Sequence, residues 1–74
     1  MARIHLNLSG LKCPLPVLKA RKALRALTAG DELEVIATDP MSAIDIPNMV
    51  REEGDELVER IQNERQLTFV IIKR

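Results

Sequence analysis

The chain has 74 residues with eleven basic and eleven acidic side chains, so its formal net charge is zero, and 46% of its residues are hydrophobic. A chain of this length makes one domain, which we assign to residues 1–74, and its core must be aliphatic because Phe69 is the only aromatic residue. This composition disfavours nucleic-acid binding by base stacking. No apolar run approaches the ~20 residues of a membrane span and no signal-peptide pattern is present, so we expect a cytoplasmic protein without membrane insertion.

The first half of the chain predicts a strand, a helix and a second strand. Apolar residues alternate with polar ones over Arg3–Leu8, which is typical of a half-buried strand. Pro14 and Pro16 fit the first turn of a helix, where the missing N–H costs little, and helical periodicity continues over Val17–Leu27. The mostly apolar segment Leu33–Thr38 predicts a central strand.

Proline positions in the second half predict a broken helix. Asp39–Pro40 is typical of a helix start, with a capping carboxylate before a proline. Pro47 would interrupt that helix because it removes a hydrogen bond. We therefore predict one turn over Met41–Ile44 and then a helix over Ile46–Glu53, capped by Asp45.

The end of the chain predicts two strands, Glu56–Gln62 and Leu67–Lys73, joined by a hairpin loop at Asn63–Gln66. The order β-α-β-α-β-β indicates an α/β two-layer sandwich, a four-stranded mixed sheet with two helices on one face. The first two strands should be parallel with a right-handed crossover. That crossover brings the loop that holds Cys13 and the loop that holds Asp39 to the same end of the sheet.

Cys13 is the candidate reactive residue because it lies beside the predicted start of the first helix. A helix N-terminus and nearby cations lower the pKa of a cysteine thiol, and Lys12 and Lys19 are close in sequence. We therefore predict a thiolate with a lowered pKa, held on a corner that the prolines stiffen. The alternative is a buried, inert cysteine, the usual state of a lone cysteine.

The rest of the sequence limits the chemistry open to Cys13. His5, the only histidine, lies in the first strand and should point away from the loop, so no catalytic base is evident. Without a second cysteine, thioredoxin-like exchange is disfavoured, and one cysteine with one histidine does not make a tetrahedral metal site. Thiol chemistry in which other proteins supply the remaining groups fits best, for example transfer of sulfane sulfur. We expect no metal and no cofactor.

Charge is unevenly distributed along the chain. Residues 1–30 hold six bases and no acid, whereas residues 31–74 hold five bases and eleven acids. Lys19, Lys22 and Arg25 form a basic row on the first predicted helix. This row is either a solvated face or a docking surface for an acidic partner.

The segment Gly10–Pro16, which reads Gly-Leu-Lys-Cys-Pro-Leu-Pro, resembles the TusA-like (SirA-like) sulfur-carrier family, whose signature is Cys-Pro-x-Pro. Asp39-Pro40 and Asp45-Ile46-Pro47 resemble the second motif of that family. The resemblance covers nearly the whole chain and implies a two-layer α/β sandwich with Cys13 as the active-site cysteine. With the charge pattern, it indicates these site-shaping or partner-binding residues: Gly10, Lys12, Pro14, Leu15, Pro16, Lys19, Lys22, Asp39 and Asp45.

Two positions depart from the family pattern. Asn7 stands where many members carry an acid, and Leu15 replaces a frequent glutamate between the prolines. Leu15 makes the rim of the reactive loop more apolar, which bears on the choice of partner. Neither change touches the thiol.

The resemblance also implies a sulfurtransferase that carries sulfur as a persulfide on Cys13. The donor would be a protein such as a cysteine desulfurase or a rhodanese-like protein, and the acceptor another protein. Relatives serve tRNA thiolation, molybdenum-cofactor synthesis, sulfur oxidation or sulfur uptake. Two other classes stay open: a binding or regulatory module without turnover, such as an accessory of a membrane sulfur transporter, and an RNA-binding domain, which the single aromatic residue opposes. We expect a monomer that does not bind nucleic acid directly.

Overall fold

The computed structural model describes residues 2–74, and its helices and strands follow the predicted order β-α-β-α-β-β. They are β1 (Arg3–Leu8), α1 (Leu15–Arg25), β2 (Glu32–Ala37), α2 (Ser42–Glu52), β3 (Glu56–Gln62) and β4 (Leu67–Ile72). The strands form one mixed sheet in the order β1-β2-β4-β3, in which β1 is parallel to β2 and β4 is antiparallel to both neighbours. Both helices pack on the same face of this sheet, which confirms the predicted two-layer α/β sandwich.

The core lies between the helices and one face of the sheet. Val35 is opposite Phe69 and Leu33 is opposite Ile71 across β2 and β4, and all four side chains are fully buried. The inner faces of the two helices contribute the buried residues Ala20, Leu24, Ile46, Met49 and Val50. Burial of this aliphatic set is the main stabilisation of two short helices that would be marginal alone.

The second helix differs from the prediction. Ser42–Glu52 is one continuous helix that contains Pro47, so the predicted break is wrong, and no side chain caps its N-terminus. Asp45 was therefore wrongly predicted as a cap, because it lies inside the first turn of this helix. Pro47 cannot donate to the carbonyl of Ala43, four residues earlier. The helix continues because the residues that flank the proline are anchored in the core, and tertiary packing outweighs one lost hydrogen bond.

Other boundaries differ by one or two residues. The first helix spans Leu15–Arg25, with Pro16 in its first turn as predicted, and it ends two residues before the predicted Leu27. The second strand begins and ends one residue before the predicted Leu33–Thr38, and the last strand ends at Ile72. Neither helix in residues 2–74 is long and apolar enough to cross a membrane.

The other face of the sheet is covered by no helix of residues 2–74 and carries a charged network. Glu34 Oε1 lies 2.6 Å from His5 Nδ1, and Glu34 Oε2 accepts a hydrogen bond from Arg3 at 3.3 Å. The contact with His5 is the main cause that lowers the pKa of Glu34, and the charges of His5 and Arg3 add to it. The only histidine is thus engaged by Glu34 on the face opposite the helices.

Candidate functional site

Cys13 lies in the loop between β1 and α1, at the end of the sheet where the two parallel strands finish. This loop turns at Gly10, whose φ of +82° is in the left-handed region that glycine adopts without strain. The Gly10 N–H donates to Thr38 Oγ1 at 2.8 Å, which joins the loop to the end of β2. Thr38 was not among the predicted site residues, although the sequence already placed it at the end of a strand of the parallel pair.

The carboxylate of Asp39 connects the two loops at this end of the sheet. Asp39 Oδ2 accepts a hydrogen bond from the Cys13 N–H at 2.5 Å, and Asp39 Oδ1 accepts one from the Met41 N–H at 3.2 Å. Asp39 therefore holds the turn that precedes α2 through one oxygen and the backbone of Cys13 through the other.

Asp45 contacts the reactive atom of the site. It lies in the first turn of α2, and its Oδ2 accepts a hydrogen bond from the Cys13 thiol at a sulfur–oxygen distance of 3.5 Å. Cys13 is exposed, and the peptide bond between Cys13 and Pro14 is cis. The site thus holds a solvent-accessible thiol. The carboxylate of Asp39 accepts a hydrogen bond from the backbone of Cys13, and the carboxylate of Asp45 accepts one from its sulfur.

These contacts overturn the prediction of a lowered thiol pKa. Shielding of the sulfur from part of the solvent, the hydrogen bond to Asp45, and the negative charges of Asp45 and Asp39 raise the pKa of Cys13 above its ordinary value. The start of α1 offers few N–H groups that could stabilise the thiolate and lower this pKa. Pro14 and Pro16 have no N–H, and the Leu15 N–H already donates to the Lys12 carbonyl oxygen at 2.9 Å.

An open cleft of about 300 Å³ adjoins the thiol between the two helices. Its lining residues are Cys13, Pro14, Val17, Arg21, Asp45, Asn48, Met49 and Glu52. Arg21, Asn48 and Glu52 were not predicted as site residues. Helical spacing could have identified them, because Arg21 follows Val17 by four residues and the α2 members recur at intervals of three and four after Asp45.

The predicted basic residues do not gather at the thiol. Lys19 and Lys22 line a separate groove between α1 and the edge strand β1, together with Leu6, Ala23 and Ala26. Arg25, the third member of the basic row, donates two hydrogen bonds to Glu53 at 2.8 and 3.0 Å. Lys12 lines a third cleft, formed with Gly10 and Asp39.

Apolar side chains form a rim around this end of the molecule. Leu15, the first residue of α1, is 45% exposed, and Leu18 is 48% exposed one turn later, whereas Pro16 between them is buried. Met41 and Ile44 at the start of α2 are also exposed. Such exposed apolar residues around a reactive group are typical of a surface that docks other proteins.

Known proteins resemble this chain along almost its whole length. The family model described as Sulfurtransferase TusA matches residues 4–73. The chain is 44% identical over 69 residues to a protein of Allochromatium vinosum named Sulfur carrier protein TusA, a match that covers 93% of this chain and 91% of the relative. It is 39% identical over 66 residues to a putative sulfur carrier protein of Neisseria meningitidis, with 89% of each chain covered. A crystal structure of a SirA-like protein from Desulfitobacterium hafniense matches with a TM-score of 0.81 at 27% identity, over 93% of this chain and 95% of that chain.

Proposed function

Because this chain belongs to the TusA family of sulfurtransferases, we propose that it is a sulfur carrier that holds sulfane sulfur as a persulfide on Cys13. The observation that carries the proposal is the position of its single cysteine, exposed on a loop that Asp39 ties down at the carboxyl end of the parallel strands. A firmly held, accessible thiol suits repeated contact with partner proteins. We place this activity in the cytoplasm.

The chemistry is transfer of one sulfur atom between thiols. The Cys13 thiolate attacks the terminal sulfur of a donor persulfide, a new bond forms between Sγ and that sulfur, and the donor sulfur–sulfur bond breaks. The electron pair of the broken bond leaves with the donor sulfur, which takes up a proton. An acceptor thiolate then repeats the attack on the loaded carrier, and Cys13 is the leaving group.

The partners in this proposal are proteins. A cysteine desulfurase or a rhodanese-like protein provides the sulfur, and an acceptor in tRNA thiolation or another branch of sulfur trafficking takes it. The apolar rim that includes Leu15 and Leu18 offers these partners contact area beside the thiol. Pro14 and Pro16 limit the freedom of the backbone next to Cys13, which favours a defined position of the loop toward partner proteins.

Mass spectrometry tests the proposal directly. After incubation with a cysteine desulfurase and free cysteine, the protein should gain about 32 Da, one sulfur atom, on Cys13. Cys13→Ser is the matched control, because it replaces an exposed side chain with a close isostere and should fold normally. A wild-type chain that gains no sulfur, even from inorganic polysulfide, would indicate the alternative of a binding module without turnover. Sulfur on the Ser variant would show that Cys13 is not the carrier residue.

Lys19 and Lys22 are proposed to steer an acidic donor toward the site. Neither lysine makes an ion pair with another residue in the range 2–74, so their charges are available to a partner. Lys19→Glu with Lys22→Glu should slow loading by the desulfurase at low salt and flatten its dependence on salt, because ions screen such steering. Arg60→Glu with Arg65→Glu, the same charge change on exposed bases of the β3–β4 hairpin, is the control and should load normally. Equal behaviour of the two double variants contradicts the steering role.

A further inference from the structure

The thiol of Cys13 has an acidic neighbour, Asp45, which is unusual for a reactive cysteine. A cation or a base usually stabilises the thiolate of a reactive cysteine. Here the atom in hydrogen-bond contact with Cys13 Sγ is a carboxylate oxygen of Asp45, 3.5 Å away. A negative charge at that distance opposes formation of a second negative charge on the sulfur.

Other charged groups around Cys13 do not cancel this effect. Arg21 is the basic residue that lines the cleft, but its guanidinium lies 3.8 Å from carboxylate oxygens of both Glu52 and Glu53. These two acids offset its positive charge. Lys12 is adjacent in sequence and exposed, and no hydrogen bond joins its side chain to another residue in the described range. The charged groups that face the thiol are therefore Arg21, Asp39, Asp45 and Glu52, whereas Lys12 lines a different cleft.

We propose that Asp45 retains sulfur on Cys13, because its carboxylate lies where negative charge appears on Sγ when the sulfur leaves. This inference rests on the proposed function. In the unloading step, a thiolate attacks the terminal sulfur of the persulfide, and a bond forms between those two sulfurs. The bond from Sγ to the terminal sulfur breaks, and its electron pair stays on Sγ beside Asp45. A proton from solvent then restores the thiol.

The charge of Asp45 makes Cys13 a poor leaving group. A thiol of lower acidity leaves more slowly in such exchanges, and the equilibrium then favours the state in which its sulfur is bonded to another sulfur. The raised pKa of the Cys13 thiol agrees in direction with this geometry. The loaded carrier is thereby protected from unloading by any free thiol it meets. A carrier that has to deliver its cargo to one acceptor needs that protection.

The experiment compares persulfide lifetimes. Wild type, Asp45→Asn, Asp45→Glu and Glu59→Gln are loaded with inorganic polysulfide, mixed with glutathione, and followed by mass spectrometry. Asp45→Asn keeps the shape of the side chain without its charge, and its persulfide should decay about threefold faster or more. Asp45→Glu keeps the carboxylate and should restore a long lifetime. Glu59→Gln removes the same charge from an exposed position on β3 and should match wild type.

A second measurement separates the charge of Asp45 from a structural role. The rate of alkylation of the unloaded thiol by iodoacetamide should titrate at lower pH in Asp45→Asn than in wild type and Glu59→Gln. The larger thiolate fraction is only partly offset by the lower intrinsic reactivity of a less basic thiolate, so alkylation at neutral pH should rise severalfold. Equal persulfide lifetimes in wild type and Asp45→Asn overturn the inference while sulfur carriage stands. Failure of wild type to load contradicts the proposed function instead.

Discussion

The two ends of the sheet use charge differently. Where the parallel strands begin, acids are paired: Glu32 with Arg3 at 3.1 Å, Asp55 with Lys73 at 3.8 Å, and Glu56 with Arg74. Where these strands finish, neither Asp39 nor Asp45 makes an ion pair with another residue in the range 2–74, and both contact Cys13. Charged residues where the parallel strands begin stabilise the fold through ion pairs, whereas the two aspartates where these strands finish contact the cysteine.

The largest effect that we expect is a loss of stability at the paired end. Lys73→Met removes the cation next to Asp55, whose side chain is only 2% exposed and whose Oδ2 has no hydrogen-bond donor. The remaining contact is the Arg74 N–H to Asp55 Oδ1 at 3.0 Å. Because Lys73 is itself partly exposed, the cost should be about 2 kcal/mol rather than that of a fully buried pair. The melting temperature should fall by roughly 10 °C.

Thermal unfolding followed by circular dichroism measures that loss. Arg60→Met removes an exposed base without an ion pair in residues 2–74 and should leave the melting temperature almost unchanged. The alkylation rate of Cys13 should be the same in both variants at a temperature where both are folded. A changed rate in Lys73→Met would mean that the two ends are not independent.

At the other end, Asp39→Ala should loosen the loops with a somewhat smaller loss of stability. The variant removes the acceptor of the Cys13 and Met41 N–H groups, a contribution of about 1.5 kcal/mol for a partly exposed charged acceptor. Hydrogen exchange at those two amides, followed by NMR, should accelerate. Asp31→Ala is the control from the opposite end and should leave both amides protected as in wild type. Unchanged exchange in Asp39→Ala would show that other contacts hold the loop.

The fold was predictable because its signals are local and repeated. Alternation over Arg3–Leu8 and the hairpin signal around Asn63–Gln66 each identify an element without knowledge of the rest of the chain. The structure has β1 and β3 with the predicted boundaries. The break at Pro47 was wrong because a proline penalty is visible in sequence, whereas the burial of Ile46 and Met49 on either side of it is a tertiary property.

The candidate site was predictable in position but not in electrostatics. Parallel connection of two strands is enough to bring the loops of Cys13 and Asp39 together. The direction of the thiol pKa depends on contacts with residues 26 and 32 positions away, Asp39 and Asp45. Sequence neighbours such as Lys12 suggested the opposite sign. One signal was available, since Pro14 and Pro16 cannot supply the N–H groups that would stabilise a thiolate.

Asp31, at the end of the sheet where the parallel strands begin, should have a smaller effect on stability, and this effect should depend on pH. Asp31 accepts hydrogen bonds from the Ala2 N–H and the Thr28 N–H, both at 3.0 Å, and these bonds hold its pKa below the ordinary value. A carboxyl with a lowered pKa in the folded state contributes stability above its unfolded pKa, and this contribution is lost as the pH falls through the folded value. Asp31→Asn should therefore be less stable than wild type at neutral pH.

Urea unfolding at several pH values measures this contribution. The difference between wild type and Asp31→Asn should shrink as the solution is acidified below the ordinary range of carboxyl groups. A constant difference between wild type and Asp31→Asn across the acid range contradicts the assignment.

The smallest effect concerns partner choice and leaves the fold unchanged. Leu15→Glu places an acid in the first turn of α1, where the helix dipole tolerates it, so the stability should match wild type. The leucine is 45% exposed, and docking a partner would remove only that remaining area from water. The lost contact should cost about 1 kcal/mol, or roughly fivefold in affinity for a cysteine desulfurase.

Ile4→Glu is the matched control, because Ile4 is 40% exposed at the opposite end of the sheet and should not affect binding. Loading by inorganic polysulfide should be nearly unchanged in both variants. If affinity for the desulfurase and loading by polysulfide both fall in Leu15→Glu, residue 15 acts on the thiol itself. The introduced carboxylate would then affect Cys13 from the first turn of α1, as Asp45 does from the first turn of α2.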